Sequence, residues 1–183
     1  MSIAAIDFET ANRFRYSACQ VAAVRISGGR VVESFQALLD PQGPFEGLQM
    51  GLHGIRPADV VGAPTLAEVW PQLASLLARA DRVVAHNAPF DRSVFEQTLR
   101  HQGTEPPVLP WECTVIRSRR LLPDLPNHRL PTLCDHFGVS LTQHHDALAD
   151  ALATARLAVA LDRLQVCGVP VSLPSRPPLR LAA

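Results

Sequence analysis

The segment AAIDFETANR, residues 4–13, places two carboxylates, Asp7 and Glu9, where a short apolar strand is ending. Side chains two apart on a strand leave the same face, so these two acids stand side by side. Each raises the cost of ionising the other. A fold that keeps such a pair has to bring positive charge to it. Composition does not supply that charge globally: 17 basic residues balance 17 acidic ones. No overall basic field announces a polyanionic partner, which is then held by a local patch or by bound metal. Every basic residue is arginine, and their even scatter favours compositional bias over selection for phosphate contacts.

The length fits one domain with a sizeable core. Residues 2–8 read as a buried strand, and the two β-like runs around the Ser27-Gly28-Gly29 turn read as a hairpin. Residues 44–66, rich in Gly and Pro, are expected to form a surface loop. The spacing of Leu66, Val69, Leu73 and Leu76 predicts a helix with Thr65 and Glu68 as its capping pair, interrupted by Pro71. A strand over 82–86 leads to a helix that Asn87 caps, with Pro89 in its first turn and Gly103 beyond its end. ECTVIRSRRLL and RLPTLCDHFG predict two further helices, and the Ala-rich stretch from Asp146 a long last one ending at Gly168. Strand and hairpin followed by alternating strands and helices imply an α/β fold, a mixed five-stranded sheet with helices on both faces. The expected division is a domain over 1–167 and a Pro-rich, mobile tail over 168–183.

Cys19, Cys113, Cys134 and Cys167 show no paired-ligand spacing, which fits a reduced compartment without structural zinc. With no basic leader and no membrane-length apolar run, a cytoplasmic location is expected.

In sheets of this type, sites form at the carboxyl ends of strands. Three acidic clusters can meet there: Asp7 with Glu9, Asp91 within HNAPFD, and Asp150 within HHDALADA beside His145. Taken singly, each has an ordinary explanation, from a solvated strand edge to a helix-dipole partner. Ala147, Ala149 and Ala151 let the last helix approach the sheet closely. His145 and Asp150 lie roughly 140° apart around a helix axis, so they border one pocket only if His145 precedes the helix. Four carboxylates around one cleft suit a pair of hard divalent cations, Mg²⁺ or Mn²⁺, that assist hydrolysis of a phosphodiester. His145 has the pKa to take a proton from water.

IDFET, HNAPFD and HHDALADA, in this order, resemble the histidine-bearing branch of the DEDD exonucleases, which includes the epsilon subunit of bacterial DNA polymerase III, ribonuclease T and oligoribonuclease. The resemblance spans residues 3–165 and implies a ribonuclease H-like fold and removal of nucleotides from 3′ ends with two divalent metals. It assigns Asp7, Glu9, Asp91 and Asp150 to metal and His145 to general base. It places Phe8, Thr10, Ala11 and Asn12 on one side of the terminal nucleotide, and Asn87 and Phe90 on the other. His53, in LHGIRP, falls near that nucleotide, and NHRL resembles the segment before the third motif. Two positions depart from the pattern: TAN follows the first motif, and Asp146 stands beside His145, where it either raises the histidine's pKa or caps the last helix.

The implied partner is a single-stranded 3′ end, DNA favoured over RNA, gripped by stacking and by arginine. Phe8, Phe14 and Phe90 lie near the motifs, with Arg13 and Arg15 following the first. Arg117, Arg119 and Arg120 form the densest basic run, either a phosphate contact or a solvated helix face. A polymerase partner docking on the tail, and a homodimer, complete the expectations. A membrane partner is not among them.

Overall fold

A computed structural model describes residues 1–167. The sheet is built from β1 (Ser2–Thr10), β2 (Ala18–Ser27), β3 (Arg30–Leu38), β4 (Arg82–Ala85) and β5 (Trp111–Cys113) in the order β3-β2-β1-β4-β5. β1 runs antiparallel to β2 and parallel to β4, so the sheet is mixed. The hairpin turns at Gly28 and Gly29, both at positive φ (57° and 77°), where a side chain is disfavoured. Among the described residues no helix is long and apolar enough to cross a membrane.

The two sides of β1 set the layers. Ala4, Ile6 and Phe8 face a core shared with α2 (Leu66–Leu77) and α3 (Ala88–His101). Ile3 and Ala5 face the opposite layer, where α6 (Ala147–Cys167) lies on the sheet through Ala147, Ala151, Ala155 and Ala158. Such short side chains let the helix sit close, and Gln20 Oε1 accepts the Ala147 N–H at 3.2 Å to pin its first turn to β2. Asp7 and Glu9 continue the α6-facing row of β1, which carries them to that helix's N-terminus. α5 (Leu130–Phe137) packs against the outer side of α6. Below it, Arg117 of α4 (Thr114–Leu121) holds Glu112 of β5 at 2.6 Å and Asp162 of α6 at 2.9 Å, and Arg82 of β4 binds the same two acids.

Several sequence expectations are corrected. Residues 44–66 are not all loop: α1 (Gly47–His53) and a 3-10 turn (Pro57–Val60) lie within them. α1 buries no residue, its Leu48 and Leu52 standing exposed; its ends are held by Glu46 N–H on the Ala11 carbonyl (2.8 Å) and Gly54 N–H on that of Met50 (2.9 Å). Glu112 and Cys113 belong to a strand rather than a helix, and this three-residue β5 pairs with β4. Asn87 does not cap α3 through its side chain; it takes the left-handed conformation (φ 75°) and leaves its side chain exposed. α2 does carry the Thr65–Glu68 capping box and continues through Pro71. The proposed tail, and the helix stop at Gly168, lie outside the described residues.

The Ala row predicts intolerance to size. Ala151→Leu should cost about 1–3 kcal/mol in urea unfolding, as overpacked cores do, and weaken the site by shifting Asp150. Unchanged stability would show that α6 does not depend on this close approach.

Candidate active site

The parallel pairing of β4 with β1 reaches only Ala5, so β1 runs on alone along that edge. The Phe8 N–H that emerges there is taken by Asp91 Oδ1 at 3.2 Å, from the first turn of α3. Asp91 is 1 % exposed, and its second oxygen, Oδ2, is buried with no hydrogen-bond partner. On the other side, Asp150 (4 % exposed) accepts the His145 main-chain N–H at 3.0 Å and lies 2.9 Å from His144 Nδ1. Oxygens of Asp7, Glu9 and Asp150 lie within 4.8 Å of one another. Three separate elements thus deliver four acids to one end of the sheet.

His145 precedes α6 in the left-handed conformation (φ 71°), which turns it and Asp150 into the same cleft. Its ring stacks on that of His144 with centroids 3.9 Å apart. Asp146 resolves as a helix cap: its Oδ1 accepts the Ala149 N–H at 2.9 Å. It is not what tunes His145, whose pKa is lowered by burial and by His144, against an opposing pull from Asp150.

The acids respond in the opposite sense. Burial, reinforced by Asp91 and Glu9, pushes Asp7 well above the usual carboxylate range. Burial and Asp150 push Glu9 up to about 8. Asp91 is raised by burial despite the hydrogen bond from Phe8 and the nearby Arg15. Without a cation the pocket is therefore electrostatically strained. A cluster of hard oxygen donors with a buried orphan oxygen fits divalent cations such as Mg²⁺ or Mn²⁺, held by Asp7, Glu9, Asp91 and Asp150.

The cleft encloses roughly 1260 Å³, and Phe8, Thr10, Asn12, His53, Asn87 and Phe90 line it with the acids. Ala11 does not: it is fully buried among Cys19, Ile55 and Val60. The Phe8 ring points away into the core, 6.4 Å from Phe95, so its main chain is what faces the site. Asn12 spends its amide locally, on the Pro44 carbonyl (2.7 Å) and the Phe14 N–H (3.0 Å). His53 is braced at both nitrogens, Nε2 on the Thr10 carbonyl at 3.1 Å and Nδ1 on the Ile55 N–H at 3.0 Å; burial lowers its pKa.

Sequence reasoning missed His144, which shares Asp150, and a far wall containing His86, His128 and Arg129. His86 Nδ1 lies 2.9 Å from Thr114 Oγ1, and burial pushes its pKa down to about 4. The doubled histidine of HHDALADA was the available signal for His144, and His86 and His128 stood within HNAPFD and NHRL without being given a role. The arginine run divides: Arg117 is buried in the ion network, whereas Arg119 lines the cleft.

Fold and site together define a nuclease scaffold of the ribonuclease H-like type. A family model described as "Exonuclease", of RNase T type, matches residues 4–158, and the chain belongs to that family. PolC-type DNA polymerase III of Oceanobacillus iheyensis is 38 % identical over 138 residues, 75 % of this chain and 10 % of that protein. The corresponding protein of Caldanaerobacter subterraneus is 36 % identical over 155 residues, 82 % of this chain and 11 % of that protein. The chain thus spans about a tenth of the length of these relatives. Among solved structures, exonuclease X in complex with 5′ overhanging duplex DNA superposes with a TM-score of 0.71 over 93 % of this chain and 97 % of that one, at 26 % identity. E. coli exonuclease I in complex with a dA16 oligonucleotide gives a TM-score of 0.74 over 91 % and 41 %, at 20 % identity, a likeness of fold.

The raised acids give a pH prediction for the metal-free protein. Between pH 7 and 8 folded Glu9 retains a proton that the unfolded chain has released, so stability falls as pH rises. The depressed histidines 53, 86 and 145 are largely neutral in both states there. Without metal, Tm should drop from pH 7 to 8.5; Glu9→Gln should raise Tm and flatten the drop; Mg²⁺ should restore more stability at the higher pH. A Tm independent of pH and metal would contradict the strained-pocket reading.

Proposed function

We propose that this chain is a metal-dependent 3′–5′ exonuclease that releases nucleoside monophosphates from single-stranded nucleic acid, DNA preferred. The observation that carries the reading is the meeting of Asp7, Glu9, Asp91 and Asp150 around one cleft, with a buried carboxylate oxygen left without a partner. Two divalent cations held by these acids would polarise the scissile phosphate, lower the pKa of the attacking water and neutralise charge on the leaving oxygen. His145, kept neutral by burial and by His144, takes the proton from the water. His144 and the His145 main chain fix the Asp150 carboxylate. The braced His53 and the exposed Asn87 amide bound the pocket of the terminal nucleotide.

Preference for DNA is supported by the kind of relative found: DNA polymerases III of PolC type, and exonuclease X crystallised on duplex DNA. Because the chain matches only a tenth of those polymerases, a second reading is a proofreading domain whose activity depends on a polymerase partner. The division at residue 167 into a catalytic domain and a partner-binding tail belongs to that second reading.

The test is digestion of 5′-labelled single-stranded DNA and RNA of matched sequence with Mg²⁺, Mn²⁺ or EDTA. The expected result is a ladder shortening from the 3′ end, faster on DNA and abolished by EDTA. Asp7→Ala should reduce kcat by about a thousandfold or more, since metal supplies several kcal/mol of stabilisation. His145→Ala should lose roughly 10²–10⁴-fold, as loss of a general base does. A ladder faster on RNA would make the chain an RNA-trimming enzyme. No ladder on either polymer would leave only the partner-dependent reading.

A further inference from the structure

Between Thr10 and Ala18 the chain builds a rigid loop whose most prominent product is an exposed aromatic ring. Phe14 is 45 % exposed and belongs to none of the apolar clusters, so core packing does not explain it. Yet its backbone is tightly held. Asn12 Oδ1 accepts its N–H at 3.0 Å, and Ser17 Oγ donates to its carbonyl at 2.7 Å. Ala11 N–H closes the loop on the Ser17 carbonyl at 2.8 Å, and Thr98 Oγ1 anchors the Arg15 carbonyl to α3 at 3.3 Å.

The ring heads a column. Phe14 stacks on Tyr16 with centroids 5.4 Å apart and planes within 9°, and Tyr16 stacks on His101 at 4.5 Å. His101 closes the helix that Asp91 opens, so the foot of the column lies about 15 Å along α3 from Asp91. Arginines flank it. The Arg13 guanidinium lies over the Phe14 ring, 5.1 Å from its centroid, with Glu46 at 4.0 Å as a loose carboxylate partner. Arg15 lies 4.0 Å over Phe90, which lines the cleft. The Phe14 ring is thus pre-ordered and half-exposed beside two exposed arginines, one of them a flexible guanidinium lying over it that a base can displace. That is what an unpaired base and its phosphates require, and stacking tolerates any base.

We propose that Phe14, supported by Tyr16 and His101, is a stacking platform for the base of a nucleotide upstream of the 3′ end, with Arg13 and Arg15 serving its phosphates. This rests on the reading of the cleft as a site for a 3′ end, and it gives the single strand a defined exit along α3. Phe14 is a positioning residue here and touches no reacting atom.

The test is steady-state hydrolysis with Mg²⁺ of an oligothymidine and of the same oligomer with abasic positions just upstream of its 3′ nucleotide. For Phe14→Ala, kcat/KM on the complete oligomer should fall roughly 5- to 100-fold through KM, as loss of one base–aromatic stack does. On the abasic oligomer the variant should match wild type, because the stacking base is already gone. Phe14→Trp should restore full efficiency. An unchanged Phe14→Ala on the complete oligomer, or an equal loss on both oligomers, would overturn the platform while leaving the exonuclease reading intact. A wild type that hydrolyses neither oligomer would overturn the platform together with the reading of this chain as a DNA exonuclease that acts alone.

Discussion

Mutual repulsion among four carboxylates is the constraint on which this structure turns. Burial, and then the charge of neighbouring acids including Asp150, raises the cost of ionising Asp7, Glu9 and Asp91. The Phe8 N–H and Arg15 relieve Asp91 only in part, and its ionisation stays disfavoured. The fold holds the acids in place by other means. Asp91 is tied to the free edge of β1, Asp150 to the His144–His145 turn, and α6 to the sheet by its alanine face. Folding free energy from the cores is spent on keeping a strained pocket assembled, as sites that bind cations commonly do.

The rigid parts of the molecule sit behind that pocket. Glu112 and Asp162, bridged by Arg82 and Arg117, fasten β4 and β5 to the C-terminal half of α6. The network is part-buried, with Arg117 its most enclosed member, so α6, which carries Asp150, is backed by charge pairing as well as by close packing. The cleft rim is built differently. α1 has no buried face, and the exposed part of the 11–17 loop, Arg13 to Arg15, is held by hydrogen bonds with the side chains of Asn12, Ser17 and Thr98. Contacts that vary with substrate can change there without disturbing the acids.

Much of this was legible in the sequence, for reasons that can be named. The β1 acids stood out because charge at the end of an apolar run is costly, and α6 because alanines recur along it. The hairpin was marked by its two glycines and α2 by its capping box. What stayed hidden had a weak local signal. The Leu48–Leu52 pair of α1 was masked by the Gly and Pro around it, and β5 is three residues that become a strand only by pairing with β4. Asn87 looked like a cap, but the turn needs it left-handed. Ala11 and Asn12, next to the motif in sequence, are taken up by structure: Ala11 fills a small core, and Asn12, at the cleft wall, ties its loop to the Pro44 carbonyl. Adjacency to a motif predicts the neighbourhood of a side chain, not the direction it points.

The central claim, that the four acids form a divalent-cation site, is tested most directly by anomalous diffraction from crystals grown with Mn²⁺. The account predicts peaks bounded by Asp7, Glu9, Asp91 and Asp150, one of them against the unpartnered Oδ2 of Asp91. Ordered crystals saturated with Mn²⁺ that show no anomalous density among these carboxylates would contradict it.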